Sequence, residues 1–279
     1  MSYKSLVTFI ASETGMAPLL DHAVALAQRF DAHLEICCMG VDTTQSMGFY
    51  AGAPAIIYQD ALDSAKASAE ALQKKASARL EGQSLRWGCD SAVVSLGGIS
   101  SYVGLKARFS DLVVLPQPYG AGRGPQDEVV IESALFEGDA PVLVMPEGAK
   151  QVPDFTRIVL GWNQSDEAIH ATRAALPLLQ GADMVNLAII DPPAHGPERS
   201  DPGGLLAQML ARHGVTADVS VLARTLPRTS DILARHIKDQ DADLLVMGAY
   251  GRSRLREAIL GGATRDMMQQ AECAVLMKH

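Results

Sequence analysis

The chain lacks a long apolar run. No stretch of its 279 residues approaches the roughly 18 consecutive apolar residues that a membrane span needs. No charged segment leading into an apolar one stands at its start, so the reading is a soluble, cytoplasmic protein with no membrane partner. A basic excess is lacking too: 24 Lys and Arg face 32 Asp and Glu, for a net charge of −8. That balance disfavours the broad positive surface of a nucleic-acid binder. Cysteines are few, and none of the four has C-x-x-C spacing; Cys37 and Cys38 are adjacent, while Cys89 and Cys273 stand apart. They read as small buried hydrophobes in a reducing compartment. The histidines are scattered without ligand spacing, so no metal site is expected. Catalytic signatures are missing as well. There is no Gly-Lys-Ser/Thr phosphate loop, no Gly-x-Ser-x-Gly elbow and no His-Glu-x-x-His helix, and no catalytic residue is assigned.

What is present is ordinary globular composition, 48% hydrophobic and 20% charged, in a length suited to about two domains. Strand-like runs at Lys4–Ile10, Leu34–Met39, Ser91–Leu96, Asp111–Leu115 and Ala140–Met145 alternate with helical stripes near 19–30, 59–80, 100–109 and 127–136. A Pro- and Gly-bearing linker, Pro146–Asp154, follows, and the pattern restarts. Strands are expected at Arg157–Trp162, Met184–Ile190, Thr216–Leu222, Asp243–Met247 and Cys273–Met277. Helices are expected near 169–179, 205–212 and 230–238, the last capped by Ser230. Corresponding landmarks lie 150 residues apart at Asp31 and Gly181, and 132 apart at Asp111 and Asp243. The shortfall falls in the loop and second helix of the first half. An internal duplication accounts for this order. The expected fold is α/β: two repeated doubly wound domains, 1–147 and 155–279, each with a five-stranded parallel sheet in the order 3-2-1-4-5, flanked by helices.

In such a sheet, ligands bind beyond the carboxyl ends of the strands where the winding reverses, between the first and fourth strands. The second half puts Gly161-Trp162-Asn163 at one of these ends and Met247-Gly248-Ala249-Tyr250-Gly251 at the other. Gly261-Gly262-Ala263-Thr264 follows and leads into helical sequence. Glycine turns and a bare helix N-terminus expose backbone N–H groups and suit an anion. Arg252, between the glycine clusters, is a candidate for neutralising phosphate charge, whereas Arg254 and Arg256 read equally well as a solvated face.

The pattern Gly248-x2-Gly251-x9-Gly261, followed by a small residue, resembles the ATP-binding motif of the universal stress protein family, and the whole chain resembles its tandem two-domain members. The resemblance implies a nucleotide-binding stress-response or regulatory protein that takes ATP, with Mg accompanying the phosphates. By position, Gly248, Gly251, Gly261, Gly262 and Ala263 would offer backbone donors and Thr264 a hydroxyl. Ile189 would line the adenine pocket. Asn163 stands where the family commonly carries an acidic residue, and Gly262 where a Ser or Thr is usual. The resemblance also implies that the last strands pair between the two halves, forming a pseudo-dimer within one chain. A protein partner or a second copy of the chain would be its further associates.

The first half departs from the motif. Its fourth strand runs into Pro116-Gln117-Pro118, Glu132 occupies a cradle-glycine position, and Asp127 and Glu128 add negative charge. Proline offers no N–H to a phosphate. One nucleotide site, in the second half, is therefore expected. Two other readings stay open: an ATP-consuming enzyme of the same α/β superfamily, either a slow ATPase or an adenylating enzyme, and a scaffold that binds no nucleotide.

Overall fold

The computed structural model describes residues 2–42, 44, 55–149, 151–192, 200–250 and 262–279. They group into two compact units, Ser2–Ala140 with Ala149–Val152, and Pro141–Gly148 with Pro153–His279.

The first unit runs β1 (Ser5–Ile10), α1 (Met16–Phe30), β2 (His33–Asp42), α2 (Ala55–Leu80), β3 (Arg86–Ser95), α3 (Ile99–Ala107), β4 (Leu112–Pro116) and α4 (Pro125–Phe136). Its strands lie in the order β3-β2-β1-β4, all parallel. β1 and β4 carry apolar residues on both faces, and Leu6, Val7, Leu112, Val113 and Val114 are fully buried. This is the composition of a strand covered by helices on each side. α1 presents Leu19, Leu20, Ala23, Leu26 and Ala27 as one buried stripe, because those positions recur at helical spacing.

The second unit contains β5 (Val142–Met145), β6 (Arg157–Gly161), α5 (Asp166–Leu179), β7 (Met184–Ile190), α6 (Gly204–Arg212), β8 (Ala217–Leu222), α7 (Thr229–Asp239), β9 (Leu244–Gly248), α8 (Ala263–Gln270) and β10 (Ala274–Lys278). Its order is β5-β10-β9-β6-β7-β8. Every pair is parallel except β5 with β10, which run antiparallel with Val144 opposite Val275 and Leu143 opposite Leu276. β5 ends the first repeat in sequence, yet it packs in the second unit. Both strands are apolar and buried, so each covers a backbone edge that would otherwise be open to foreign strands.

The duplication is written in matching details. Asp111 precedes β4, and its carboxylate accepts the N–H groups of Lys4 and Ser5 at 2.7 and 3.0 Å. Asp243 precedes β9 and accepts those of Thr156 and Arg157 at 2.9 and 3.3 Å. Each carboxylate thus staples the start of the first strand of its repeat to the start of the fourth. An Asp-Ala pair also ends three helices. Asp31, Asp139 and Asp241 take left-handed φ values of 48°, 46° and 49°. The N–H groups of Ala32, Ala140 and Ala242 then turn back to Ala27, Ala134 and Ile237 carbonyls at 2.9, 3.0 and 3.0 Å. Asp tolerates this backbone better than most side chains, and the returned N–H satisfies a terminal carbonyl.

Two local expectations change. β3 begins at Arg86, five residues before the apolar run at Ser91, because a complete ladder from His33 opposite Arg86 to Asp42 opposite Ser95 carries its polar first half. Ser230 does not cap α7. Arg228 holds the N-cap position, and the Ser230 hydroxyl donates instead to the Asp266 carboxylate at 2.8 Å, fully inside the protein.

Candidate functional site

Five segments of the second unit meet beyond the carboxyl ends of β6 and β9, where the winding of the sheet reverses. They enclose a cavity of about 130 Å³. Gly161, Trp162 and Asn163 come from the end of β6, Met247 and Gly248 from the end of β9, and Ala188 and Ile190 from β7. Thr229 and Leu233 of α7 and Ala263 of α8 complete the wall. A larger opening of about 630 Å³ lies between α7 and α8, lined by residues such as Arg235, Lys238, Gln270 and Glu272. It sits beside Asp241 and Ala242, at the amino end of β9, away from the winding reversal.

Of the residues expected at the site, Gly161, Trp162, Asn163, Met247, Gly248 and Ala263 line this cavity. Ile189 does not. Ile190 takes that place, because successive residues of a strand face opposite ways. The Ile189 side chain instead packs where a Cβ on Gly203 would fall, 2.8 Å away. Gly262 is the N-cap of α8, and Thr264 is 3% exposed. The Thr264 hydroxyl accepts the Tyr250 N–H at 3.2 Å, so it latches the turn after β9 to α8. Tyr250 itself holds a left-handed φ of 54°. Gly251, Arg252 and Gly261 lie outside the described residues.

The glycines differ in what requires them. A Cβ on Gly248 would stand 2.7 Å from the Ala168 nitrogen and 2.8 Å from the Glu167 carbonyl carbon. The first turn of α5 therefore rests directly on the strand end. A Cβ on Gly161 would have no neighbour nearer than 3.7 Å. Packing accounts for the first glycine; only the open cavity accounts for the second.

The Asn163 side-chain carbonyl oxygen accepts the Ser165 N–H at 3.1 Å, which leaves its amide NH2 and the oxygen's second lone pair to a ligand. The Trp162 backbone N–H binds the Ala188 carbonyl at 2.9 Å and continues the β6–β7 ladder one residue beyond Gly161. Trp162 is 9% exposed, and its Nε1–H is buried with no partner among the described residues. An unsatisfied buried donor costs about 1–3 kcal/mol, and a buried tryptophan N–H usually finds an acceptor. Sequence reading picked out Trp162 by position; nothing in the sequence marked its unsatisfied N–H. No group of three or more His, Cys, Asp or Glu among the described residues is placed to hold a metal ion.

The equivalent place in the first unit is filled. The cavity at the ends of β1 and β4 measures about 30 Å³, room for a water or two. Pro116 closes one side, and the loop that follows folds back over β1. In that loop Gly122 has a φ of 76° and packs on Thr14, while the Arg123 guanidinium reaches Gly15 and pairs with Asp127 at 3.4 Å. Asp127, counted from sequence as repulsive charge, is engaged further by the Gly124 N–H at 2.8 Å.

The universal stress protein family model matches residues 154–279. A curated universal stress protein from Synechocystis sp. is 26% identical over 145 residues, which span 49% of this chain and 46% of the relative. The match thus reaches about half the length of that protein. Among solved structures, a universal stress protein from Archaeoglobus fulgidus aligns over 98% of this chain and 97% of its own, at 11% identity and a TM-score of 0.72. A second, from Pseudomonas aeruginosa, covers 99% and 93% at 15% identity and a TM-score of 0.56. These two show a shared fold over the whole chain.

Proposed function

We propose, from a chain whose residues 154–279 match the universal stress protein family model, that the second unit binds one adenine nucleotide and that its occupancy regulates the protein in a stress response. The observation that carries this reading is the contrast between the two winding reversals. One holds a cavity of about 130 Å³ walled by Gly161, Trp162, Ile190 and Met247, and the other is packed to about 30 Å³. Pockets for drug-sized ligands usually measure about 300–1,000 Å³, so the described cavity suits the base end of a nucleotide. The phosphates would continue past Gly248 and Ala263 toward the sequence motif that ends at Gly261. Backbone N–H groups there, with Arg252, would hold them, and Mg would accompany them as a counter-ion. β5 against β10 supports a pseudo-dimer of the two repeats within one chain.

Calorimetric titration of the full chain with MgATP tests this. The expected result is about one site per chain, abolished by Gly161→Leu, whose Cβ would have no neighbour nearer than 3.7 Å and whose side chain would occupy the cavity. Mass spectrometry of a denatured extract should find co-purified adenine nucleotide. Two equivalent sites, or wild-type binding that Gly161→Leu leaves intact, would defeat the assignment. Steady release of phosphate or pyrophosphate would move the reading to an ATP-consuming enzyme.

A further inference from the structure

We propose that Cys38 and Cys89 form a redox modification site: a hydroperoxide oxidises Cys89, and Cys38 then closes on it in a reversible disulfide across β2 and β3. Their sulfurs lie 3.9 Å apart, in hydrogen-bonding contact. Ile36 stands opposite Cys89 and Cys38 opposite Ser91, so the two cysteines are diagonal neighbours on one face of the sheet. α2 covers that face. The Gln73 side-chain amide donates to the Cys89 carbonyl at 2.7 Å, and its oxygen accepts the Ser91 hydroxyl at 2.8 Å. Cys37 points to the opposite face, beside Tyr102 and Lys106, and offers no competing thiol.

The two thiols are unequal. Cys38 is fully buried, whereas Cys89 is partly exposed on the edge strand. A hydrogen bond from the Cys38 thiol, helped by one from Ser77, holds Cys89 below the ordinary thiol range against the effect of burial, so the thiolate forms at the reachable sulfur. That thiolate attacks one peroxide oxygen. The O–O bond breaks, the other oxygen leaves as water or an alcohol after taking a proton, and Cys89 becomes a sulfenic acid. The Cys38 sulfur next attacks the Cys89 sulfur, the S–O bond breaks, and the hydroxyl leaves as water with the Cys38 proton. The two thiols together lose the two electrons that the peroxide gains. An S–S bond is about 2.05 Å long, so the sulfurs must close by about 2 Å. β3 is paired on one side only and can follow. A bridge that strains its ladder is of the readily reduced kind.

The test treats the reduced full chain with hydrogen peroxide, blocks the remaining thiols and maps unreduced peptides by mass spectrometry. The expected product joins the Cys38 and Cys89 peptides, free thiols fall from four to two, and reduced glutathione reopens the bridge. Wild type that keeps four free thiols, links another pair, or carries Cys89 to sulfinic acid unlinked overturns the inference, and this arm needs no variant to fold. A bridge that glutathione leaves closed is a permanent staple, which overturns the reversible site. In Cys89→Ser, which retains Cys38, peroxide should modify Cys38 at least about tenfold more slowly than in wild type. If that variant melts like wild type and Cys38 is oxidised at the wild-type rate, Cys89 is not the attacking thiol and the inference fails.

Discussion

Adding one methyl group to either of two glycines in the same cavity should have opposite consequences. In Gly248→Ala the new Cβ would lie 2.7 Å from the Ala168 nitrogen and 2.8 Å from the Glu167 carbonyl carbon, both backbone atoms that cannot rotate away. Ordinary contact begins near 3.4 Å, so the first turn of α5 must retreat by about 0.7 Å, where overpacking costs typically 1–3 kcal/mol. The Ala168 N–H is also the group that the Ser165 cap accepts at 3.2 Å, so part of a cap is lost as well, typically about 1 kcal/mol. The two effects overlap, and about 2–3 kcal/mol is the expected loss, or roughly 5–12 °C in Tm for a unit of this size. Gly161→Ala meets nothing nearer than 3.7 Å, so its stability should stay within about 0.5 kcal/mol of the parent. Its methyl group narrows the cavity and should weaken nucleotide binding. Thermal unfolding of both variants, paired with MgATP titration, separates the effects. A Gly248→Ala protein melting within about 1 °C of the parent would refute the close approach of α5. A Gly161→Ala protein as destabilised as Gly248→Ala would refute the distinction between the two glycines.

Replacing Thr264 by Val removes the acceptor of the Tyr250 N–H at a site 3% exposed, so stability should fall by about 1–3 kcal/mol in a denaturant titration. An unchanged midpoint would show that the latch does not hold the turn. Burial holds His22 and His236 below the ordinary histidine range, against the opposing pull of the Ala149 carbonyl and Asp21 on the first and Asp239 on the second. The folded state therefore favours neutral imidazole at both positions. Their contribution to stability is complete above the unfolded value, about 6.5, and is lost as pH falls below it. Denaturation midpoints between about pH 7.5 and 5.5 should drop, with a shallower slope in a His22→Gln, His236→Gln double variant; equal slopes would exclude this linkage. Burial pushes the Cys37 thiol up to about 12 and the Cys273 thiol to about 11, whereas a hydrogen bond from Cys38 lowers the half-buried Cys89. Thiolate is the reactive form, so limited alkylation followed by mass spectrometry should mark Cys89 first. Labelling of Cys37 or Cys273 at the same rate would contradict that order.

Much of the fold was legible because it rests on local pattern. Buried parallel strands need apolar residues on both faces, and runs such as Leu112–Leu115 and Leu244–Met247 announce them. Edge strands do not, and β3 was recognised only from Ser91 because Arg86–Asp90 is held by its ladder to β2. Strand phase escaped sequence as well. Whether Ile189 or Ile190 faces the cavity depends on a one-residue register that two adjacent isoleucines cannot reveal. The sulfurs of Cys38 and Cys89 lie 3.9 Å apart across β2 and β3, a proximity invisible in a spacing of 51 residues. Ser230 carried the signature of a cap, but a distant carboxylate, Asp266, outcompeted the local backbone for its hydroxyl.

The sequence by itself determined the recurrence of the pattern in two halves and the alternation of strand and helix, since each follows from periodicity and connection rules along the chain. Tertiary structure decided the rest. Gly248 is a packing requirement of α5 while Gly161 opens a cavity, the first copy of the site is closed by Arg123 and its loop, and the Trp162 indole N–H is buried with no acceptor among the described residues. Each of these depends on which atoms from distant segments share a few ångströms of space, and no local pattern records that.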